Sequence, residues 1–122
     1  AGDVKVPSNV KIVMGLREGE DEGRCLYFSR AEVPFIRNPE SCKSRDFYHH
    51  IGIYVYRAES LKRFVDVPVG VLEAREGLEQ LRALEDGMYI RAKLVSELTL
   101  DKNAPADIDT EEDLEEARKW IK

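Results

Sequence analysis

Apolar and polar side chains alternate most clearly over residues 48–56, and the pattern predicts the central strand of the fold there. Successive strand side chains point to opposite faces, so one face collects apolar residues that predict a core: Ile51, Ile53 and Val55. The opposite face carries His50, Tyr54 and Tyr56, and Gly52 between the first two leaves a gap where a polar ligand has room to approach. An ordinary half-buried strand with a bulge at the glycine explains the same pattern.

Two further apolar runs, residues 10–14 and 24–31, flank an acidic turn and predict a β-hairpin. Residues 34–46 then form a polar loop between and beyond two prolines, the stretch most typical of a mobile functional loop. Helical spacing predicts helices over residues 58–65, 72–86 and 110–121. Alternation over residues 88–96 predicts a last, half-buried strand.

Strands interleaved with helices of unequal length predict an α/β fold, with a mixed sheet and flanking helices, in one domain over residues 1–122. A glycine-rich turn for phosphate binding is absent between an early strand and a helix. The sequence also contains no nucleophile elbow, zinc spacing or calcium loop. We therefore expect that any nucleotide chemistry here needs parts that this chain does not contain.

Charge and cysteine content narrow the class of protein. Lys and Arg number 19 against 24 Asp and Glu, a net charge of -5 with both signs scattered, which argues against a nucleic-acid partner. The uncharged run over residues 51–56 is far too short to span a membrane. Only Cys25 and Cys42 are present, without metal-ligand spacing, which favours a reduced, cytoplasmic protein in which Cys25 is a buried strand residue.

Three polar positions are candidates for ligand contact. Arg30 closes an apolar strand, where its guanidinium can bind a carboxylate or phosphate or simply reach solvent. Glu79 and Gln80 are adjacent on a predicted helix, and together they can accept and donate hydrogen bonds to sugar hydroxyls. A solvated face, with Glu79 paired to neighbouring arginines, is the alternative.

Asp109 has two interpretations that are compatible with each other. It precedes the last predicted helix as an N-cap, a role that Thr110 can also take, in front of an acidic first turn. Its carboxylate also suits Mg²⁺, which commonly takes one or two protein carboxylates together with phosphate oxygens.

Four stretches together resemble a known family: Leu26 to Ala31, His50 to Arg57, Leu78 to Glu85 and Ile108 to Leu114. In order and spacing they are similar to the C-terminal half of the 3-deoxy-manno-octulosonate cytidylyltransferases, or CMP-Kdo synthetases. The resemblance runs from about Val10 to the end of the chain.

The resemblance implies an enzyme of lipopolysaccharide synthesis that joins CTP and Kdo into CMP-Kdo and releases pyrophosphate. It also implies a nucleotide-diphospho-sugar transferase-like fold, a homodimer and Mg²⁺ as cofactor. By position in the motifs, the Kdo pocket would contain five residues: Arg30, His50, Tyr54, Glu79 and Gln80. Asp109 would be a Mg²⁺ ligand.

The chain also departs from the family. The N-terminal, CTP-binding half is absent, so we expect a fragment that is inactive alone. Val69 and Gly70 stand where the family tends to have Pro-Ser, just before the helix with Glu79. Two alternatives follow: a non-catalytic sugar-acid or dimerisation module, or a cytidylyltransferase for a related acid sugar such as 8-amino-Kdo or sialic acid.

Overall fold

The computed structural model describes residues 5–41, 47–95 and 111–120. It contains four strands: β1 (Lys11–Gly15), β2 (Glu22–Ser29), β3 (Tyr48–His49) and β4 (Arg91–Lys93). It contains four α-helices: α1 (Ala58–Asp66), α2 (Val71–Glu76), α3 (Gln80–Glu85) and α4 (Glu111–Trp120). One 3₁₀ turn, Pro39–Ser41, lies in the predicted polar loop. Along the described part of the chain, no helix has the length and apolar character needed to cross a bilayer.

The strands form one sheet in the order β3-β1-β2-β4. β1 and β2 are antiparallel neighbours, which confirms the predicted hairpin. β3 and β4 add to its two edges, also antiparallel. The α/β class is confirmed, while all pairings among the described residues are antiparallel, so the parallel pairing of a mixed sheet does not occur within them.

A bulge in β2 decides which of its side chains reach the core. The β1–β2 register passes from Val13 opposite Tyr27 to Met14 opposite Cys25, which leaves Leu26 as an extra residue in β2. The extra residue changes which face later side chains take. Cys25 and Phe28 are three positions apart, yet each is only 1% exposed. The predicted burial of Cys25 is confirmed.

The core lies on one face of the sheet, beneath α3 and the residues that precede it. Its fully buried cluster joins sheet and helix side chains: Ile12, Cys25, Phe28, Leu78 and Leu81. Partly buried residues pack around this cluster, among them Tyr48, Leu84 and Ile90. The segment that contains Glu79 and Gln80 is thus fastened to the sheet from both sides, by Leu78 and by Leu81.

The predicted strand over residues 48–56 is wrong beyond its first two residues. Regular pairing with β1 ends at His49, and the backbone N–H of Ile53 donates to the carbonyl of Ile51 at 2.8 Å, closing a tight three-residue turn around Gly52. The predicted apolar core face is also wrong, because Ile53 and Val55 are 82% and 99% exposed. The aromatic side chains of this segment pack in a row against Phe28 and Phe64 instead, while Tyr54 and Tyr56 remain 37% and 39% exposed.

The single helix predicted over residues 72–86 is two helices. Gly77 adopts a left-handed conformation with φ of 66°, and its N–H donates to the carbonyl of Glu73 at 2.8 Å, which ends α2. The chain then passes through the buried Leu78 before α3 begins at Gln80. The apolar periodicity in the sequence continues across Gly77, because Leu78 is buried even though the helix ends before it.

The other predicted elements are confirmed with small changes at their ends. α1 covers the predicted 58–65 and one residue more, and α4 covers the described part of the predicted helix over 110–121. The alternation predicted over 88–96 is present in burial, since Ile90 and Ala92 pack against the core, but only Arg91–Lys93 forms a strand. Residues 42–46, which include Cys42, lie outside the described residues.

Candidate functional site

His50 lies directly after β3, held by its backbone and by its ring. Its N–H donates to the carbonyl of Val10 at 2.8 Å, which continues the β1 edge by one bond. Its imidazole packs edge-on against Phe28, with ring centroids 5.3 Å apart. Its Nε2 lies 2.6 Å from the hydroxyl of Tyr54. In an extended strand those two residues would be about 13 Å apart along the chain, so the turn at Gly52 is what brings them into contact.

The rings continue outward from His50 as an aromatic row, formed by Phe28, His50, Tyr54, Tyr56 and Phe64. Successive ring centroids are 5.3, 5.5, 6.0 and 6.0 Å apart. At the far end the guanidinium of Arg82 lies 5.1 Å from the centre of the Phe64 ring. The row therefore connects the core under β2 to α1 and α3, and it fixes the two phenols between them.

Tyr54 keeps its proton over the whole neutral range. The pKa of its phenol is raised far above the ordinary value, first by burial and then by the neighbouring ionisable groups of Tyr56, Cys25 and Glu79. The pKa of Tyr56 is also raised, by burial and by Glu79. Glu79 is thus close enough to act electrostatically on both phenols, and the neutral phenols remain hydrogen-bond donors and acceptors for a ligand.

Gln80 is the most informative side chain of this region. It is 6% exposed, and its amide Nε2 is buried with no hydrogen-bond partner in the described part of the chain. A buried N–H without an acceptor is destabilising by about 1–3 kcal/mol, so such groups in native proteins usually serve a ligand or water. Glu79, next to it, is exposed. The solvated-face interpretation is therefore wrong for Gln80. Glu79 has the expected exposure, but Arg82, one of the arginines expected to pair with it, pairs with Glu73.

Arg30 does not reach freely into solvent. Its guanidinium is half-buried and donates to three carbonyls: Nε to Glu76 at 2.7 Å, NH1 to Pro7 at 3.1 Å and NH2 to Gly77 at 3.3 Å. A guanidinium has five N–H donors, so two remain beyond these three bonds. These hydrogen bonds place Arg30 at the end of α2, next to Gly77, which lies two positions before Glu79.

Asp109, the predicted Mg²⁺ ligand and N-cap, lies outside the described residues. In the three described ranges, no group of three or more His, Cys, Asp or Glu side chains is arranged to hold a metal ion.

Two contributors to this region, Phe64 and Glu76, were missed from the sequence. Tyr56 and Phe64 belong to the aromatic row, and Glu76 accepts hydrogen bonds from Ser29 and Arg30 at the end of β2. The alternating pattern had already placed Tyr56 on the same strand face as His50 and Tyr54. Glu76 had no such signal, because its partners are 46 and 47 positions away in the sequence.

Comparison with known proteins places this geometry in a recognisable context. The model of a family described as cytidylyltransferase matches residues 7–93. A solved structure of CMP:2-keto-3-deoxy-manno-octonic acid synthetase complexed with CTP superposes with a TM-score of 0.75 at 31% sequence identity. That alignment covers 98% of this chain and 44% of the solved chain.

Curated relatives agree with the structural match. The 3-deoxy-manno-octulosonate cytidylyltransferases of Paramagnetospirillum magneticum and Rhodospirillum rubrum are each 53% identical to this chain, over 95% and 94% of its length. The enzyme of the same name from Elusimicrobium minutum is 46% identical over 97% of this chain. The chain spans only 42%, 40% and 44% of the length of these three relatives.

Proposed function

Because this chain belongs to the cytidylyltransferase family, we propose that it forms the sugar-acid-binding part of an enzyme that joins CTP and Kdo into CMP-Kdo. Pyrophosphate is the second product, and the pathway served is lipopolysaccharide synthesis. Relatives named 3-deoxy-manno-octulosonate cytidylyltransferase, 53% identical over nearly all of this chain, support this choice of reaction.

The buried, unpartnered amide of Gln80 is the observation that carries the proposal. It lies beside Glu79, which acts on the phenols of Tyr54 and Tyr56, and Tyr54 in turn contacts His50. This set combines a carboxylate, an amide, an imidazole and phenols that stay neutral. A polyhydroxylated sugar offers both donors and acceptors, and such a set can satisfy both. We propose that Kdo hydroxyls bind these four side chains: His50, Tyr54, Glu79 and Gln80.

Arg30 is proposed to bind the carboxylate of the sugar. Three of its N–H groups are used on backbone carbonyls, which holds the guanidinium in one orientation. Its fixed positive charge, with the two remaining N–H groups, suits a carboxylate near the end of α2. Lysine would provide the charge without this planar arrangement of donors.

Mg²⁺ is proposed as the cofactor, with Asp109 as one ligand. A single carboxylate together with phosphate oxygens of CTP matches the ligand set that Mg²⁺ prefers. When bound, Mg²⁺ supplies charge neutralisation at the phosphates during phosphoryl transfer.

The proposed enzyme is a cytoplasmic homodimer. One stretch of the surface exposes three apolar side chains: Ile51, Ile53 and Val55. Such a patch supports a protein partner at this surface. The alternative is that the proposed CTP-binding part of the same enzyme covers this surface. Analytical ultracentrifugation of the full-length protein, with Ile53→Ser and Val55→Ser as variants, distinguishes the two: only a dimer contact makes the variants monomeric.

The reaction is tested by supplying CTP, Mg²⁺ and Kdo to the full-length protein and following CMP-Kdo and pyrophosphate. 8-Amino-Kdo and sialic acid are the competing sugars, and a higher kcat/KM for either would overturn the choice of Kdo. Residues 1–122 alone should release no pyrophosphate, because this segment contains no glycine-rich phosphate-binding turn. Sugar binding by the full-length protein without any nucleotide transfer would favour the non-catalytic module.

A further inference from the structure

Glu76, the last residue of α2, joins this helix to the end of β2. Its carboxylate accepts a hydrogen bond from the Ser29 hydroxyl at 2.7 Å and another from the backbone N–H of Arg30 at 2.8 Å. Both donors are close to the sheet, and Ser29 is 2% exposed. The carboxylate therefore connects two elements whose contacting residues are 46 and 47 positions apart.

The side chain of Arg30 in turn donates hydrogen bonds to the backbone at the end of α2. Its Nε donates to the backbone carbonyl of Glu76 at 2.7 Å, and its NH2 donates to that of Gly77 at 3.3 Å. These carbonyls belong to the last turn of α2 and its cap, which otherwise lack helical partners. The carbonyl of Arg30 is itself held by the buried ammonium of Lys11 at 2.7 Å. Two residues thus bind each other through side chain and backbone alike, with Lys11 as a third support.

The position of this contact along the chain gives it a functional consequence. Gly77 follows Glu76 directly, and the chain then reaches Glu79 and Gln80 within three and four residues. Leu78 anchors the intervening turn in the core. A shift of the α2 end relative to β2 would therefore move the two side chains that the proposed function assigns to the sugar, and small displacements of binding groups have large effects on rate.

We propose that Glu76 is a positioning residue for sugar binding, which sets the place of Glu79 and Gln80 through its hydrogen bonds with Ser29 and Arg30. This inference rests on the proposed function for the identity of the ligand. Glu76 acts by holding these elements in position, because its carboxylate accepts hydrogen bonds from the Ser29 hydroxyl and the Arg30 N–H. A neutral side chain of the same shape should therefore replace it.

The test uses the full-length enzyme with Glu76→Ala and Glu76→Gln. Glu76→Ala should raise the KM for Kdo about tenfold or more and leave the KM for CTP within about twofold. Glu76→Gln keeps an oxygen for the Arg30 N–H and an amide that can donate to Ser29, so it should restore the KM for Kdo to within about threefold of wild type. Glu18→Ala, an exposed glutamate in the β1–β2 turn, is the matched control and should change neither constant.

A purely stabilising role gives a different result. Partial unfolding reduces the amount of active enzyme, which lowers the apparent kcat while both KM values stay constant, and that outcome would overturn the proposal. A Glu76→Gln variant as impaired as Glu76→Ala would also overturn it, because charge and not geometry would then be required.

Amide hydrogen exchange separates failure of this inference from failure of the proposed function. In Glu76→Ala, the amides of Gly77, Leu81 and Arg82, which are hydrogen-bonded in the wild type, should exchange faster, and Glu18→Ala should leave them unchanged. If the wild-type enzyme makes no CMP-Kdo, the proposed function fails while faster exchange still supports the positioning role. Unchanged exchange in Glu76→Ala would overturn the positioning role whatever the activity.

Discussion

The hydroxyl of Tyr54 lies 2.6 Å from Nε2 of His50, four positions earlier in the chain and on the other side of a tight turn. The hydrogen bond satisfies one imidazole nitrogen and holds the ring against Phe28. Because the pKa of Tyr54 is raised mainly by burial, the phenol stays protonated and the pair persists through neutral and mildly alkaline pH.

Removal of the Tyr54 hydroxyl should damage sugar use selectively. In the full-length enzyme, Tyr54→Phe keeps the ring in the aromatic row but loses the contact with His50, so the KM for Kdo should rise about tenfold, with little change for CTP. His50→Ala should act in the same direction. Steady-state kinetics with each substrate varied in turn is the measurement.

Tyr89→Phe is the matched control for this experiment, since Tyr89 is 58% exposed and its ring contacts only Arg24 among the ring and cation–π contacts of the described residues. It should leave both KM values unchanged. Equal damage to Kdo and CTP use by Tyr54→Phe, or a large loss of melting temperature, would mean that the pair is structural.

The start of α2 should depend on Glu85 and not on its own cap residue. Gly70 has no capping side chain, and Oε1 of Glu85 accepts instead from the N–H groups of Leu72 at 2.6 Å and Glu73 at 3.3 Å. A Cβ at Gly70 would lie 2.6 Å from Cδ of Glu85 and displace this carboxylate. Gly70→Ala should therefore lower the free energy of unfolding by about 1 kcal/mol.

Gly70→Ser separates this explanation from simple crowding. It displaces Glu85 equally but brings its own hydroxyl cap, so it should remain close to wild type, and Gly70→Ser with Glu85→Ala should do the same. Denaturant unfolding of the four proteins measures the free energies. If the serine variant is as unstable as the alanine variant, crowding and not capping decides.

The Glu73–Arg82 pair should make stability depend on acid pH. Arg82 donates to both carboxylate oxygens at 2.7 Å, and this bonding holds the pKa of Glu73 below its ordinary value. A lowered folded-state pKa stabilises the protein above the unfolded-state pKa, and the stabilisation is lost as pH falls through the folded-state value. The melting-temperature difference between wild type and Glu73→Gln should thus shrink as pH falls below about 4.5.

Melting temperatures of both proteins between about pH 7 and pH 3 provide this measurement. Glu18→Gln, at an exposed site, is the control and should show a constant difference from wild type. A constant difference for Glu73→Gln as well would show that the pair contributes no pH-dependent stability.

Cys25 should be unreactive in the folded protein. Burial raises the pKa of its thiol to about 11, and its side chain lies in the core. A short alkylation pulse near pH 8, followed by peptide mass spectrometry, should label Cys25 only after denaturant is added. Rapid labelling without denaturant would show that the core opens around β2.

Asp109→Asn should separate the metal ligand from the helix cap. Asparagine keeps a capping oxygen, so the melting temperature should change little, whereas Asp109→Ala loses a cap and about 0.5–2 kcal/mol. Turnover of the full-length Asn variant should fall by orders of magnitude, because a neutral amide oxygen binds Mg²⁺ poorly. Partial rescue by Mn²⁺ or high Mg²⁺ is expected, and normal turnover would leave Asp109 as a cap alone.

Local patterns were sufficient wherever neighbours in the chain decide the structure. The hairpin follows from two apolar runs around an acidic turn, and α1 follows from helical spacing ended by Pro68. The burial alternation from Ile90 to Ala92 was equally visible. Each of these elements forms bonds mainly within itself or with an adjacent element.

Patterns were misleading where a single glycine redirects the chain. Gly77, in a left-handed conformation, divides one periodic stretch into α2 and α3, and its signal was hidden because Leu78 keeps the apolar spacing. Gly52 ends an alternating run that otherwise suits a strand. In both cases the side-chain pattern records which residues are near the core but not the backbone path between them.

The sequence by itself determined the family, the candidate residues for sugar binding and the elements formed by local contacts. Only the tertiary structure decided which of those candidates meet and what holds them: the contact between His50 and Tyr54, the unpartnered amide of Gln80, and the bonds between Arg30 and Glu76. The physical reason is distance along the chain. Hydrogen bonds between residues 46 positions apart leave no periodic trace, because their partners become neighbours only after the sheet and helices have packed.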